Sequence, residues 1–338
     1  MASANVTGVP VKRTPAWKVA LNLAILALLI AVFVWQIHKD WKDIATYNWH
    51  VSWPLIGAAL VVLLACSALD ILIWSITLGW FTDPLPYRQA APVYIWSYIA
   101  RYLPGKVGSL ILRVALTTEL GCPPVAVLAS SVVELALRTA SALFVFLVPM
   151  LLWGLTLPHS GWLAKAGQFA PHIFIVLIVL ALICAHPRIM LPITNAALKA
   201  LKKSPIERKP RYRDILTLFL LLLLRWLGYG LAFVALACAL NPQASQYFAV
   251  LLGTAAGSWA IGFIASTPGG LGMTELTIQQ ILVSLHFDKS VADILPLLLR
   301  FTTLIGEGIW ALIAVVLWRS RPAVVSIDTA TLDRAVSS

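Results

Sequence analysis

The chain is 338 residues long, 60% hydrophobic and only 12% charged, with a mean hydropathy of +0.88. Soluble globular domains do not carry that balance, and several apolar runs reach about 20 residues, enough to cross a hydrocarbon core of roughly 30 Å. The net charge of +11 lies in short loops and at the ends of apolar runs, a distribution that orients a membrane protein and argues against a nucleic-acid partner.

In chain order, residues 1–16 form a basic tail, expected on the cytoplasmic side, ahead of a first span from about Trp17 to Gln36. The run has no clear small-residue cleavage site and reads as a retained helix rather than a signal peptide. A Trp-rich stretch, 38–53, precedes a second span at about Pro54 to Trp80, which carries Asp70. An apolar but cationic segment follows, roughly Arg88–Leu103 and Lys106–Leu120, broken at Pro104-Gly105-Lys106-Val107-Gly108. Proline removes a backbone donor and glycine tolerates turns that other residues resist, so this is a broken helical hairpin.

Pro123 and Pro124 open a span to about Trp153 that contains Glu134 and Arg138, and a shorter span covers about His172 to Ala185. Residues 188–213 hold eight Lys or Arg and a single acid, Glu207, which predicts a cytoplasmic loop. Ile215 to Leu240 then runs outward. Phe248 to Ala265 and Thr274 to Leu285 flank a second break, Pro268-Gly269-Gly270-Leu271-Gly272, which lies 164 positions after the first and is followed by Glu275. A last span, about Ile294 to Trp318, ends at Arg319 and Arg321 and predicts a cytoplasmic tail at 321–338.

These placements balance only if the hairpin at 88–120 enters and leaves from the cytoplasm and the hairpin at 248–287 from the opposite side. The expected fold is an all-α polytopic membrane protein with about six full spans plus two re-entrant helical hairpins in an inverted repeat, residues 17–155 against 156–320. Such repeats, with discontinuous helices meeting near the midplane, recur in transporters. The competing reading makes both Pro-Gly breaks plain loops between short spans.

Charged side chains at membrane depth are costly, about 2.5–3.5 kcal/mol each on insertion scales, so they pair or line a pathway. Arg101, Lys106 and Arg113 flank the first break, where three cations beside free amides suit a phosphate or else mark the cytoplasmic interface. Glu134 and Arg138, spaced i,i+4, can pair on one helix face, either as a strut or as part of a site. Arg138 follows Gly108 by 30 positions and Arg300 follows Gly272 by 28, so each half carries one Arg at nearly equivalent depth. Arg300 and Glu307 share a face of the last span. Glu275 is placed either to cap the helix after the second break or to face the headgroup. Asp70, the one acid in its span, reads as a helix-packing or interhelical partner rather than a proton carrier, and Arg225 as a side chain that snorkels inward.

No phosphate-loop motif, His-Glu-x-x-His or Cys pair is present, so no cofactor, no metal and no enzymatic activity are expected. Cys66, Cys122, Cys184 and Cys238 fall in or beside apolar spans and read as small core residues.

The run from Arg101 through Gly108 with Arg113, the Glu134 span, Ser266 through Glu275, and Arg300 together resemble the lysylphosphatidylglycerol synthase/flippase membrane-region family, over about residues 20–320. The most specific mark is Pro268-Gly-Gly-Leu-Gly-x-x-Glu275. Leu135 and Arg138 depart from the family pattern, which often has an Arg after the glutamate and an Asp a turn later. In the family's best-understood members the membrane region moves aminoacylated phosphatidylglycerol between leaflets and is fused to a soluble synthase. The chain extends about 20 residues past its last span, and lysyl-lipid synthesis is not expected of it.

The resemblance and the cationic hairpins together imply a bacterial inner-membrane flippase or scramblase-like transporter. Its cargo would be a lipid with an anionic or phosphate headgroup: a phospholipid, a polyprenyl-phosphate or a hopanoid-type lipid. Arg101, Lys106, Arg113, Arg138 and Arg300 would contact the headgroup, balanced by Glu134, Glu275 and Glu307. The alternative is a non-catalytic subunit that docks a lipid-modifying or glycosyl-transferring enzyme through the 188–213 loop.

Overall fold

The computed structural model describes residues 51–102, 108–152, 210–265 and 272–319, with residues 45–47, 49, 192, 195, 196, 199 and 270 besides. The expected spans at 17–36 and 172–185, both terminal tails and most of the 188–213 loop lie outside the described residues. So do Pro104, Gly105, Lys106, Pro268 and Gly269.

Among the described residues the chain is helical. The helices are α1 (Trp53–Gly79), α2 (Tyr87–Ile99), α3 (Gly108–Thr118), α4 (Pro124–Leu152), α5 (Tyr212–Leu240), α6 (Phe248–Ile264), α7 (Met273–Ser284) and α8 (Lys289–Arg319), with short 3-10 turns at Ala100–Tyr102 and Pro242–Tyr247. Helices α1, α4, α5 and α8 match four of the six expected spans. All four are long and apolar enough to cross a bilayer, as is the segment Pro242–Ile264 at 23 residues. That last length exceeds the arm expected from Phe248 onward, because Asn241 caps the 3-10 turn, its Oδ1 accepting from the Gln243 amide at 3.0 Å, and the turn runs straight into α6. Helix α8 also begins earlier than the hydropathy placed it: Asp288 Oδ1 accepts from the Ser290 amide at 2.8 Å and starts the helix before the apolar run.

The outer surface is apolar, with Val61, Leu72, Leu220, Leu224, Leu312 and Val316 exposed along the long helices, while charged side chains are buried inside. This polarity is inverted relative to a water-soluble domain and fits a lipid surround. The protein is a multi-pass helical membrane protein.

Helices α2 and α3 pack against each other, as do α6 and α7, so the described arms on either side of each Pro-Gly break are in contact. The second bend is built on glycine: Gly270 and Gly272 take φ +71° and +83°, which side chains with a Cβ rarely adopt. The two pairs meet α8 from opposite ends. Val291, Ala292, Leu295 and Leu299, in the first half of α8, share a core with Leu251 and Ala255 of α6 and Ile278 and Leu282 of α7. Trp310, Ala314 and Leu317, in its second half, pack with Ala90, Val93 and Tyr94 of α2 and Val114 of α3. Helix α1 lies along α5, α4 and α8 and ties the two cores together.

Candidate functional site

Each long helix brings its charge to about its own midpoint: Asp70 on α1, Glu134 and Arg138 on α4, Arg225 on α5, Arg300 and Glu307 on α8. The break ends of the short helices reach the same level. Arg101 lies in the 3-10 turn that follows α2, Arg113 lies within α3, and Glu275 is in the first turn of α7. All nine side chains line one cavity of about 540 Å³.

The five-residue network at its centre runs through four helices. Arg113 Nη1 donates to Glu134 Oε2 at 3.0 Å, and its Nε donates to Ser97 Oγ at 3.1 Å. Arg138 Nη2 donates to Glu134 Oε1 at 2.8 Å and to the Tyr94 hydroxyl at 3.1 Å, and lies 2.8 Å from Asp70 Oδ1. Arg225 Nε is 3.2 Å from the same Asp70 oxygen and donates to Oδ2 at 3.3 Å. Two further pairs stand at the break ends. Arg101 Nη2 is 2.6 Å from Glu307 Oε1, and Arg300 Nη2 is 2.5 Å from Glu275 Oε1. Glu275 Oε2 also accepts the Gly272 amide at 2.8 Å, so one carboxylate both caps α7 and holds α8.

Aromatic rings line the cationic side. Arg101 sits 3.8 Å over the Tyr98 ring, Arg113 between Trp74 and Tyr94, and Arg225 over Trp226 and Tyr229. The ring faces replace part of the hydration that a buried guanidinium loses.

The described site residues expected from sequence are therefore brought together: Arg101, Arg113, Glu134, Arg138, Glu275, Arg300 and Glu307 share one cavity, and Gly108, Gly270 and Gly272 stand at its breaks. The i,i+4 pair forms, and Glu275 caps as expected. Arg300 and Glu307 share a helix face but bind partners on different hairpins rather than each other. Asp70 is the interhelical partner expected of it, set between Arg138 and Arg225. One residue needs correction. Arg225 does not snorkel; it is 5% exposed, because Asp70 and two aromatic rings hold it at mid-helix. Tyr94, Tyr98 and Trp74 carried no sequence signal, since an aromatic residue in an apolar helix reads as packing.

One wall of the cavity is apolar and continuous with the outer surface: Val132 and Leu135 of α4, and Phe263 and Ile264 at the end of α6, line it and are themselves 39–64% exposed.

No curated protein matches the chain. The family model for the lysylphosphatidylglycerol synthase TM region matches residues 19–319, and the chain belongs to that family of membrane proteins related to lipid handling.

Proposed function

We propose that this protein is a lipid flippase or scramblase that moves a lipid with a phosphate-bearing headgroup between leaflets of the bacterial inner membrane, without catalysing a covalent reaction. The observation that carries this reading is the cavity itself: charged at the midpoints of the long helices, yet walled on one side by Val132, Leu135, Phe263 and Ile264, which also face outward. A headgroup inside and acyl or isoprenoid tails outside that wall is the arrangement such a cavity suits. A carrier for a small soluble anion has no use for an apolar side opening.

In this reading residues 17–155 and 156–320 are the opposed repeats, with both chain ends cytoplasmic. The break ends of the two hairpins meet near the bilayer midplane, where non-helical backbone is tolerated only against protein or a wet cavity. Arg101–Glu307 ties one break to α8, and Glu275–Arg300 ties the other, roughly 10 Å apart along that helix at 1.5 Å per residue. Exchanging these carboxylates for a lipid phosphate frees one hairpin at a time from α8, which gives a route for alternating access. Arg113, Glu134 and Arg138 keep the central floor polar throughout.

Reconstituted vesicles test the proposal. A headgroup-labelled anionic lipid should change leaflet faster with the wild type than with Arg101→Ala plus Arg113→Ala, and equal rates would remove the transport reading.

A further inference from the structure

The nine charged side chains of the described cavity lining are five arginines and four carboxylates. The two ion pairs at the breaks each match one arginine with one carboxylate, so among the described residues the imbalance lies in the central network, where Arg113, Arg138 and Arg225 share Glu134 and Asp70. Counted over the described residues, the lining thus carries one formal positive charge more than its own carboxylates neutralise. Arg225 is where that excess falls. Asp70 is divided between it and Arg138, whereas Arg138 has Glu134 and Tyr94 as well. Arg225 is 5% exposed, and its Nη1 has no hydrogen-bond partner among the described residues. A buried guanidinium with an idle donor and half a counter-ion is expensive to maintain unless something else supplies the missing acceptor.

We infer that the cavity selects a headgroup of one net negative charge, a phosphodiester monoanion, and that Arg225 is the residue whose charge sets that preference. The inference rests on the reading of this cavity as a lipid headgroup site, and it narrows the cargo. A zwitterionic headgroup leaves the excess uncompensated, a cationic aminoacylated one adds to it, and a diphosphate brings more negative charge than the network can match. Ser131 Oγ, also in the lining and without a partner among the described residues, supplies a second donor for phosphate oxygens.

The experiment is native mass spectrometry of the delipidated full chain, offered equal amounts of phosphatidylglycerol, phosphatidylethanolamine, lysyl-phosphatidylglycerol and a polyprenyl diphosphate. Phosphatidylglycerol should be retained about tenfold over each of the others, the ratio that a 1.4 kcal/mol difference produces. Arg225→Gln balances the network, so it should erase the preference for phosphatidylglycerol over phosphatidylethanolamine. Arg225→Lys should keep it. Equal retention across the panel by the wild type, or preference for the lysyl lipid or the diphosphate, overturns the inference even if Arg225→Gln cannot be purified. Glycerophosphoglycerol carries the same charge without tails. If it displaces phosphatidylglycerol at comparable concentration, the charge rule stands and the lipid reading of the cavity fails. Vesicles that scramble all four lipids at one rate would keep transport and remove the charge rule.

Discussion

Arg101 and Glu307 are 206 positions apart in the chain and 2.6 Å apart in the fold. The pair joins the break end of the first hairpin to the middle of the last long helix, which no local interaction does. Glu307→Gln removes the charge-assisted bond and leaves Arg101 against a neutral amide, with an expected loss of about 2 kcal/mol in stability. The swap Arg101→Glu with Glu307→Arg should restore most of it. Thermal unfolding of the wild type and the two purified variants measures this, and a swap no more stable than Glu307→Gln alone would show that the contact does not hold the hairpin.

Asp70 serves two arginines, so its loss is the costliest single change in the network. Asp70→Asn leaves Arg225 buried without a counter-ion and should cost about 3–5 kcal/mol. Arg225→Gln alone leaves Arg138 with both Asp70 and Glu134 and is expected to cost less. The double variant should be more stable than Asp70→Asn, because the uncompensated charge has gone with the arginine. Denaturation midpoints of the three proteins give the order, and a double variant worse than Asp70→Asn would mean that Arg225 does not depend on Asp70.

Much of this was readable from the chain. Hydropathy located α1, α4, α5 and α8 to within a few residues, and the clustered Pro and Gly located both breaks, because backbone chemistry is local. The pairing of Glu134 with Arg138 and the capping by Glu275 followed from spacing on a single helix. Interhelical partners did not follow. Hydropathy fixes the depth of a side chain and says little about which way around the helix axis it faces. Asp70 therefore read as an interhelical partner with no mate assigned and Arg225 as snorkelling, although each is the other's partner. The aromatic lining by Tyr94 and Tyr98 was hidden for the same reason. The extension of α6 back to Pro242 depended on an Asn cap whose effect reaches only the neighbouring turn.

Close packing of the second hairpin makes a further prediction. Gly262 on α6 faces Thr274 on α7 so closely that an added Cβ would collide with Thr274 Oγ1. Gly262→Ala should wedge the two helices apart and cost about 1–3 kcal/mol. Thr274→Ala removes the obstructing oxygen, so the double variant should recover most of the loss. If Gly262→Ala unfolds at the wild-type temperature, the two arms are not packed as described.

The opposed approach of the two hairpins to α8 predicts opposite aqueous access for their open ends. Glu119 lies just after α3, and His286 lies just after α7; both are exposed. In a background lacking the four native cysteines, Glu119→Cys should react with an impermeant maleimide only from the cytoplasmic side, and His286→Cys only from the other. Cys122 is three positions from Glu119, and burial followed by the charge of Asp83 pushes its thiol pKa up. It stays protonated and slow at neutral pH, so in the native protein labelling there should be weak and should rise as the pH is raised. Spheroplasts and inverted vesicles give the two sides. Reaction of both introduced cysteines from the same side would place the hairpins on one face of the membrane and remove the inverted arrangement on which the lipid route depends.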